Sequence, residues 1–202
     1  TLPKNFRLLI SGPTGSGKTT WVERLIKSKR IKHKFKHVYY CYPDHFEEPP
    51  VNWDAWDDTI VTFVPFLPDI EYIKSIKENS LLVLDDNFEE AIKSPVIAQA
   101  LKIHSRRNFS VILITQSFFE HGPFSRTIRN QLNAVILYRN FADYQINRRI
   151  AKQLGVLDQF TQAERTQKIA NMIQLLSLAT KLLLNRKCMF KQISYLTLFL
   201  SA

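Results

Sequence analysis

The chain has 202 residues, 45% of them hydrophobic, which is enough for one globular domain with a sizeable core. Lys and Arg number 28 against 18 Asp and Glu, a formal net charge of +10 that points to polyanionic partners and says nothing of the fold. Cys41 and Cys188 make neither a metal-site spacing nor a disulfide framework, no secretory signal precedes the first apolar stretch, and no apolar run reaches membrane-spanning length. These features favour a reducing compartment, and an intracellular, non-secreted setting with no membrane partner is expected.

The first element is the strand Phe6–Ile10, and it opens "LLISGPTGSGKTTWVERLI". Thr1 in place of Met is what a trimmed or partial product would show. Gly12, Gly17, Lys18 and Thr19 fit G-x-x-x-x-G-K-[ST], the phosphate-binding loop, between that strand and a helix carrying Val22, Leu25 and Ile26 on one face. Glycines let successive N–H groups turn inward on an anion at a helix start. Lys18 then brings a positive charge to the β- and γ-phosphates, and the Thr19 hydroxyl can ligate Mg²⁺. Gly12, Pro13, Thr14, Gly15, Ser16, Gly17, Lys18, Thr19 and Thr20 are therefore expected to hold ATP.

After the first helix, "KSKRIKHKFKH" carries Lys27, Lys29, Arg30, Lys32, Lys34 and Lys36. Such a run is either a solvated loop or a contact for a phosphate backbone. His33 and His37 lie in it at helical spacing and read as basic surface, because no carboxylate or cysteine joins them as a metal ligand. Strands are expected at His37–Tyr42 and Thr59–Val64. The acidic connection between them (Asp44, Glu47, Glu48, Asp54, Asp57, Asp58) is either a subunit contact or a polar loop. Asp69 then starts a helix through Ile70, Ile73 and Ile76.

"SLLVLDDNFEE" is the second chemical motif. The buried strand Leu81–Leu84 delivers Asp85 and Asp86 to its carboxyl end, the edge where open α/β sheets bind ligands. Asp85 suits Mg²⁺ through the Thr19 shell. Asp86 suits deprotonation of a water attacking the γ-phosphate, or else belongs with Glu89 and Glu90 to a solvated acidic turn.

Ser94-Pro95 starts a helix through Val96, Ile97, Ala100 and Leu101, and it leads into "HSRRNFSVILITQSFF". The strand Ser110–Thr115 brings Gln116 to the same edge, where an amide can sense the γ-phosphate or hold the water. Arg106 and Arg107 lie before that strand, at its opposite end. They are either fingers reaching a neighbouring subunit's nucleotide or a basic pair facing solvent or DNA. A strand Ala134–Tyr138 follows, then a helix from Asp143 through Ile146, Ile150 and Leu154 with Gly155 as its stop. A last helix is expected from a Thr161/Glu164 capping box through Ile169, Met172, Ile173, Leu176 and Leu183. The tail from Lys187 to Ala202 reads as an added strand, a partner-binding segment or poorly ordered sequence, and no function attaches to it.

Strands alternating with helices imply an α/β fold, a three-layer sandwich whose mostly parallel central sheet has helices on both faces. The core is expected to span 1–160, with 161–202 as a C-terminal helix and tail packed on it or extending it.

The combination of "GPTGSGKTT", "KHVYYCYP", "LLVLDD", "HSRRNFSVILITQSFF" and "IRNQLNAVILYRN" resembles the DNA-packaging ATPases of large DNA viruses and of Polinton (Maverick) transposons. These are P-loop NTPases of the FtsK–HerA superfamily. The resemblance covers about Phe6 to Phe160 and is most specific from His104 to Phe119. It implies a homo-oligomeric ring that pumps double-stranded DNA into a capsid without regard to sequence, capsid proteins as further partners, and a location in host nucleus or cytoplasm or in the virion. It also implies Lys18 and Thr19 on phosphates and Mg²⁺, Asp85 on Mg²⁺, Asp86 as base, Gln116 as sensor and a finger within the pair Arg106/Arg107. In the wider superfamily the base is usually Glu; Asp86 is one methylene shorter, with Glu89 and Glu90 as alternatives.

Two other functions compete. A small-molecule kinase of the nucleoside type has this size and loop, but normally carries a late arginine-rich lid. Here the one late pair, Arg148-Arg149, falls within an apparent core helix. A nucleotide-bound assembly module without motor activity is the other, and the intact Lys18, Thr19 and Asp85 speak against it.

Overall fold

The computed structural model describes residues 2, 5–27, 31, 34–44, 48–49, 51, 53, 59–86, 88–119, 121–138, 144–153, 155, 157–158, 160–161 and 173–177. The strands are β1 (Arg7–Ser11), β2 (His37–Cys41), β3 (Ile60–Val64), β4 (Ser80–Asp85), β5 (Ser110–Thr115), β6 (Ala134–Tyr138) and β7 (Ile173–Ser177). The helices are α1 (Lys18–Lys27), α2 (Ile70–Ser75), α3 (Phe88–Ala91), α4 (Pro95–Arg107), α5 (Ser125–Gln131) and α6 (Tyr144–Gln153).

One sheet takes the order β3-β2-β4-β5-β1-β6-β7. The first six strands are parallel, and β7 runs antiparallel to β6. The central strands β4 and β5 are buried at every position, which is why they read as unbroken apolar runs. Their side chains alternate between two cores. Leu82, Leu84, Val111 and Leu113 pack with Ile73, Ile97, Leu101 and Ile128 from α2, α4 and α5. Leu81, Val83, Ile112 and Ile114 pack on the other face with Val22 and Leu25 of α1. The expected three-layer α/β sandwich is thus the one observed.

Helix starts follow local chemistry. Asp69 accepts from Tyr72 N at 2.8 Å, and Ser94 Oγ accepts from Ile97 N at 3.4 Å, each satisfying an otherwise orphaned donor of the first turn. Gly155, at φ 71°, donates to Lys152 O and closes α6 as expected. Residue 143 lies outside the described residues.

His37 opens β2, as the expected strand His37–Tyr42 requires; residue 33 lies outside the described residues. Two expectations need correction. Thr161 does not begin a helix: it is itself helical, and its hydroxyl donates back to Leu157 O at 2.8 Å. Residues 173–177 form β7, a strand and not part of the expected long helix, because the exposed edge of β6 offers a full ladder from Ala134↔Ser177 to Tyr138↔Ile173. The rest of that helix and the tail lie outside the described residues. Two short helices, α3 and α5, join the elements that the sequence pattern predicts.

Candidate nucleotide site

β1 runs into the glycine-rich loop at Ser11, and α1 begins at Lys18. Gly15 and Gly17 take φ of 75° and 86°, the left-handed region where a side chain is strained. Left-handed glycines alternating with ordinary residues are the backbone pattern that can turn successive N–H groups toward one anion. Gly12 is needed for another reason: a Cβ there would come within 2.4 Å of Tyr138 Cβ. The Tyr138 hydroxyl also donates to Gly17 O at 3.1 Å, so the end of β6 braces both ends of the loop. Gly12 N donates to Thr115 O at 3.2 Å, tying the loop to β5. Within the loop, Ser16 Oγ is buried without a hydrogen-bond partner.

Lys18 is buried, and its Nζ donates to Gly12 O at 2.8 Å and Pro13 O at 2.9 Å, which curls the side chain over the loop. Burial lowers its pKa, against the opposing pull of Asp85 and Asp86. The structure thus brings the lysine and both carboxylates within electrostatic reach of one another.

Asp85, the last residue of β4, is 7% exposed. Thr19 Oγ1 donates to its Oδ2 at 3.0 Å, and the Tyr40 hydroxyl donates to the same oxygen. Burial raises the Asp85 pKa and outweighs the lowering by these two hydrogen bonds; Asp86 raises it further and Lys18 lowers it. Asp86 turns out of the strand with φ 55°, an uncommon conformation for a residue with a side chain. This exposes its carboxylate to a partner from β5. Gln116 Nε2 donates to both oxygens, each at 3.2 Å. Gln116 is placed by a tight turn after β5, in which Thr115 Oγ1 accepts from Ser117 N and donates to Ser117 O. Glu89 and Glu90 are exposed on α3.

Lys18, Thr19, Asp85, Asp86 and Gln116 therefore share the carboxyl edge of the sheet. Arg106 and Arg107 end α4, before the amino end of β5 and so away from that edge; their side chains lie outside the described residues. Arg148 and Arg149 are exposed on α6, so that helix is a surface helix, with Ile150 and Ala151 turned to the core. Of the expected basic run, Lys34 and Lys36 are exposed, while Lys27 pairs with Glu23 at 2.7 Å. Burial lowers the His37 pKa, and Lys77 and Lys36 lower it further, which marks a basic cluster at the amino edge of the sheet. In the acidic connection Asp44 and Glu48 are exposed, and residues 47, 54, 57 and 58 lie outside the described residues.

Tyr40 and Tyr138 are the site residues that motif spacing does not reveal. The signal for each is the strand register, which sets Tyr40 opposite Val83, two residues before Asp85, and Tyr138 just past the Ser11↔Leu137 pair.

A family model described as Poxvirus A32 protein matches residues 1–133. Among solved structures, the genome packaging NTPase B204 from Sulfolobus turreted icosahedral virus 2 in complex with AMP superposes with a TM-score of 0.58 at 15% identity, covering 88% of this chain and 94% of that one. The same protein in complex with ATP-gammaS gives 0.55 at 13% over the same shares. The DNA-packaging ATPase B204 from Sulfolobus Turreted Icosahedral Virus gives 0.50 at 14%, covering 86% and 98%. At such identities the likeness is one of fold. No curated protein matches this chain.

Proposed function

The chain belongs to the Poxvirus A32 protein family of P-loop ATPases, and from that premise we propose that it is an ATP-driven motor that moves double-stranded DNA into a capsid as a homo-oligomeric ring. The observation that carries the reading is the Gln116–Asp86 pair beside the phosphate loop. A carboxylate held at the sheet edge by an amide, beside Lys18 and Thr19, suits taking the proton of a water that attacks the γ-phosphate. Proteins that share the fold include a genome packaging NTPase and a DNA-packaging ATPase, which supports the same reading.

The residues fit ATP and Mg²⁺. The left-handed glycines make an anion cradle, and the buried, partnerless Ser16 hydroxyl is a donor suited to a phosphate oxygen. Thr19, by giving its proton to Asp85, turns only lone pairs outward, the polarity a cation requires. Among the described residues no group of three His, Cys, Asp or Glu could hold a metal alone. That agrees with Mg²⁺, which takes one or two protein oxygens and completes its shell with phosphates and waters. Bound Mg-ATP would supply an activated γ-phosphoryl group. Lys18 would neutralise charge on the phosphates and Thr19 and Asp85 would hold the metal, while Asp86 is placed to accept the proton of the attacking water and Gln116 keeps Asp86 aimed.

Turnover should rise with added duplex DNA and not with added nucleosides; stimulation by a nucleoside would favour a kinase, and indifference to both an assembly module. Lys18→Ala should weaken ATP binding ten- to a hundredfold, the loss of charge-assisted hydrogen bonds worth about 1.5–3 kcal/mol. Unchanged affinity in an equilibrium titration would remove Lys18 from the phosphate site.

DNA binding is assigned to the basic amino edge of the sheet, where Lys36 and Lys77 lie near His37 and Lys34 is exposed nearby in sequence. Binding there should be sequence-independent and steep in salt, since cations displace counterions and read no bases. Replacing Lys34, Lys36 and Lys77 with Ala should weaken all duplexes alike and flatten the log–log salt slope by about 0.9 for each DNA phosphate that is no longer neutralised. Sequence-selective binding with a flat salt dependence would count against a translocating motor.

Among the described residues no helix is long and apolar enough to cross a membrane.

A further inference from the structure

We propose that Tyr40 is a positioning residue for the cation site: its hydroxyl, by donating to Asp85 Oδ2, holds that carboxylate in the orientation in which Asp85 and Thr19 take Mg²⁺ together. The proposal deepens the reading above and rests on it for the assignment of Thr19 and Asp85 to the metal.

Three observations carry it. Tyr40 and Thr19 reach the same carboxylate oxygen from different elements, β2 and α1, so Asp85 is gripped from two sides. The terminal torsion of an Asp side chain is broad, and one donor on one oxygen leaves it room to swing. A second donor on a rigid ring removes that freedom. The ring itself is fixed. Tyr40 is fully buried, and Trp53 and Phe63 meet it edge-on, with centroids at 4.7 Å and 5.9 Å and interplanar angles of 73° and 66°. Its hydroxyl position is therefore set by the aromatic core on one face of the sheet. A tyrosine there is also the costlier choice for packing alone. Its oxygen would be a buried polar group inside an apolar cluster but for Asp85, and Phe would fill the same volume. Residues that orient a ligand in this way change metal affinity ten- to a hundredfold when altered.

The test is Tyr40→Phe, which keeps the ring against Trp53 and Phe63 and removes the donor. Binding of a fluorescent ATP analogue is titrated in EDTA and then against rising Mg²⁺, alongside Mn²⁺ binding followed by electron paramagnetic resonance and a thermal melt. The expected result is unchanged affinity in EDTA, a cooperative melt, and metal midpoints for both ions shifted ten- to a hundredfold upward. In an Asp85→Asn background the same substitution should add no further shift, because Tyr40 acts through that carboxylate. An unshifted midpoint in Tyr40→Phe, or an equal further loss in the Asp85→Asn background, overturns the role of Tyr40. Wild-type nucleotide binding that ignores Mg²⁺ overturns instead the cation reading on which it rests.

Discussion

Asp86→Asn should leave ATP binding within about twofold of wild type and slow hydrolysis by a factor of about 10² to 10⁴, the usual contribution of a positioned general base. The substitution suits the site for two structural reasons. Asp86 sits at φ 55°, and Asn is among the side-chain-bearing residues that enter this left-handed region most readily, so the backbone turn out of β4 is preserved. The amide oxygen of Asn can still accept from Gln116 Nε2, now 3.2 Å from each carboxylate oxygen, so the pair need not separate. What is lost is the capacity to take a proton. Asp86→Ala would be a poorer test, since it removes the acceptor for Gln116 and places a residue with less affinity for that conformation at the same φ. Single-turnover hydrolysis and equilibrium nucleotide titration, measured on one preparation, separate chemistry from binding. Hydrolysis near the wild-type rate would move the base to Glu89 or Glu90, both exposed on the short helix that follows.

How much of this site can be read from the sequence depends on the distance over which each contact is made. Five of the six parallel strands are visible because a strand buried on both faces is a nearly continuous apolar run, whereas β3, partly exposed, shows through its β-branched and aromatic residues; β5 and β6 have the bounds that their sequences suggest. Lys18, Thr19 and Asp85 are visible because fixed spacing and strand ends dictate where they go. α3 has four residues, too few to show a period. α5 follows Phe124, an N-cap residue whose side chain makes no cap, and it buries little beyond Ser125 and Ile128, so neither start signal nor apolar face marks it. β7 reads wrongly as helix because Ile173, Leu175 and Leu176 suit a helical face as well as a strand, and the deciding partner, β6, lies some forty residues earlier. Tyr40 and Tyr138 are hidden for a related reason. Nothing local distinguishes Tyr40 from Tyr39 or Tyr42, and only the β2–β4 register sets it against Asp85.

The other large effect concerns Arg106 and Arg107, and it tests whether the ATPase works as a ring. These residues end α4, and β5 runs from Ser110 to Thr115 before Gln116 reaches the nucleotide edge. Five steps of about 3.3 Å put roughly 17 Å of strand between the two ends, which places the pair beyond easy reach of its own site. A neighbouring subunit whose carboxyl edge approaches the end of α4 would be in reach. Substituting the operative arginine with Ala should leave ATP binding nearly intact and cut hydrolysis by on the order of a thousandfold, the scale of an arginine finger. Mixing that variant with Lys18→Ala subunits, under conditions that allow exchange, should restore part of the activity. An interface in the mixture can pair an intact loop from one subunit with an intact arginine from the next, whereas neither variant alone can form one. Arg106→Ala and Arg107→Ala, tested separately, identify which residue acts, since a bystander should hydrolyse ATP at the wild-type rate. Full-rate hydrolysis by a monomer, or mixtures that exchange subunits and recover nothing, would return both arginines to the basic surface. The fall in turnover would then have to come from weakened DNA binding, which predicts that it disappears when hydrolysis is measured without DNA.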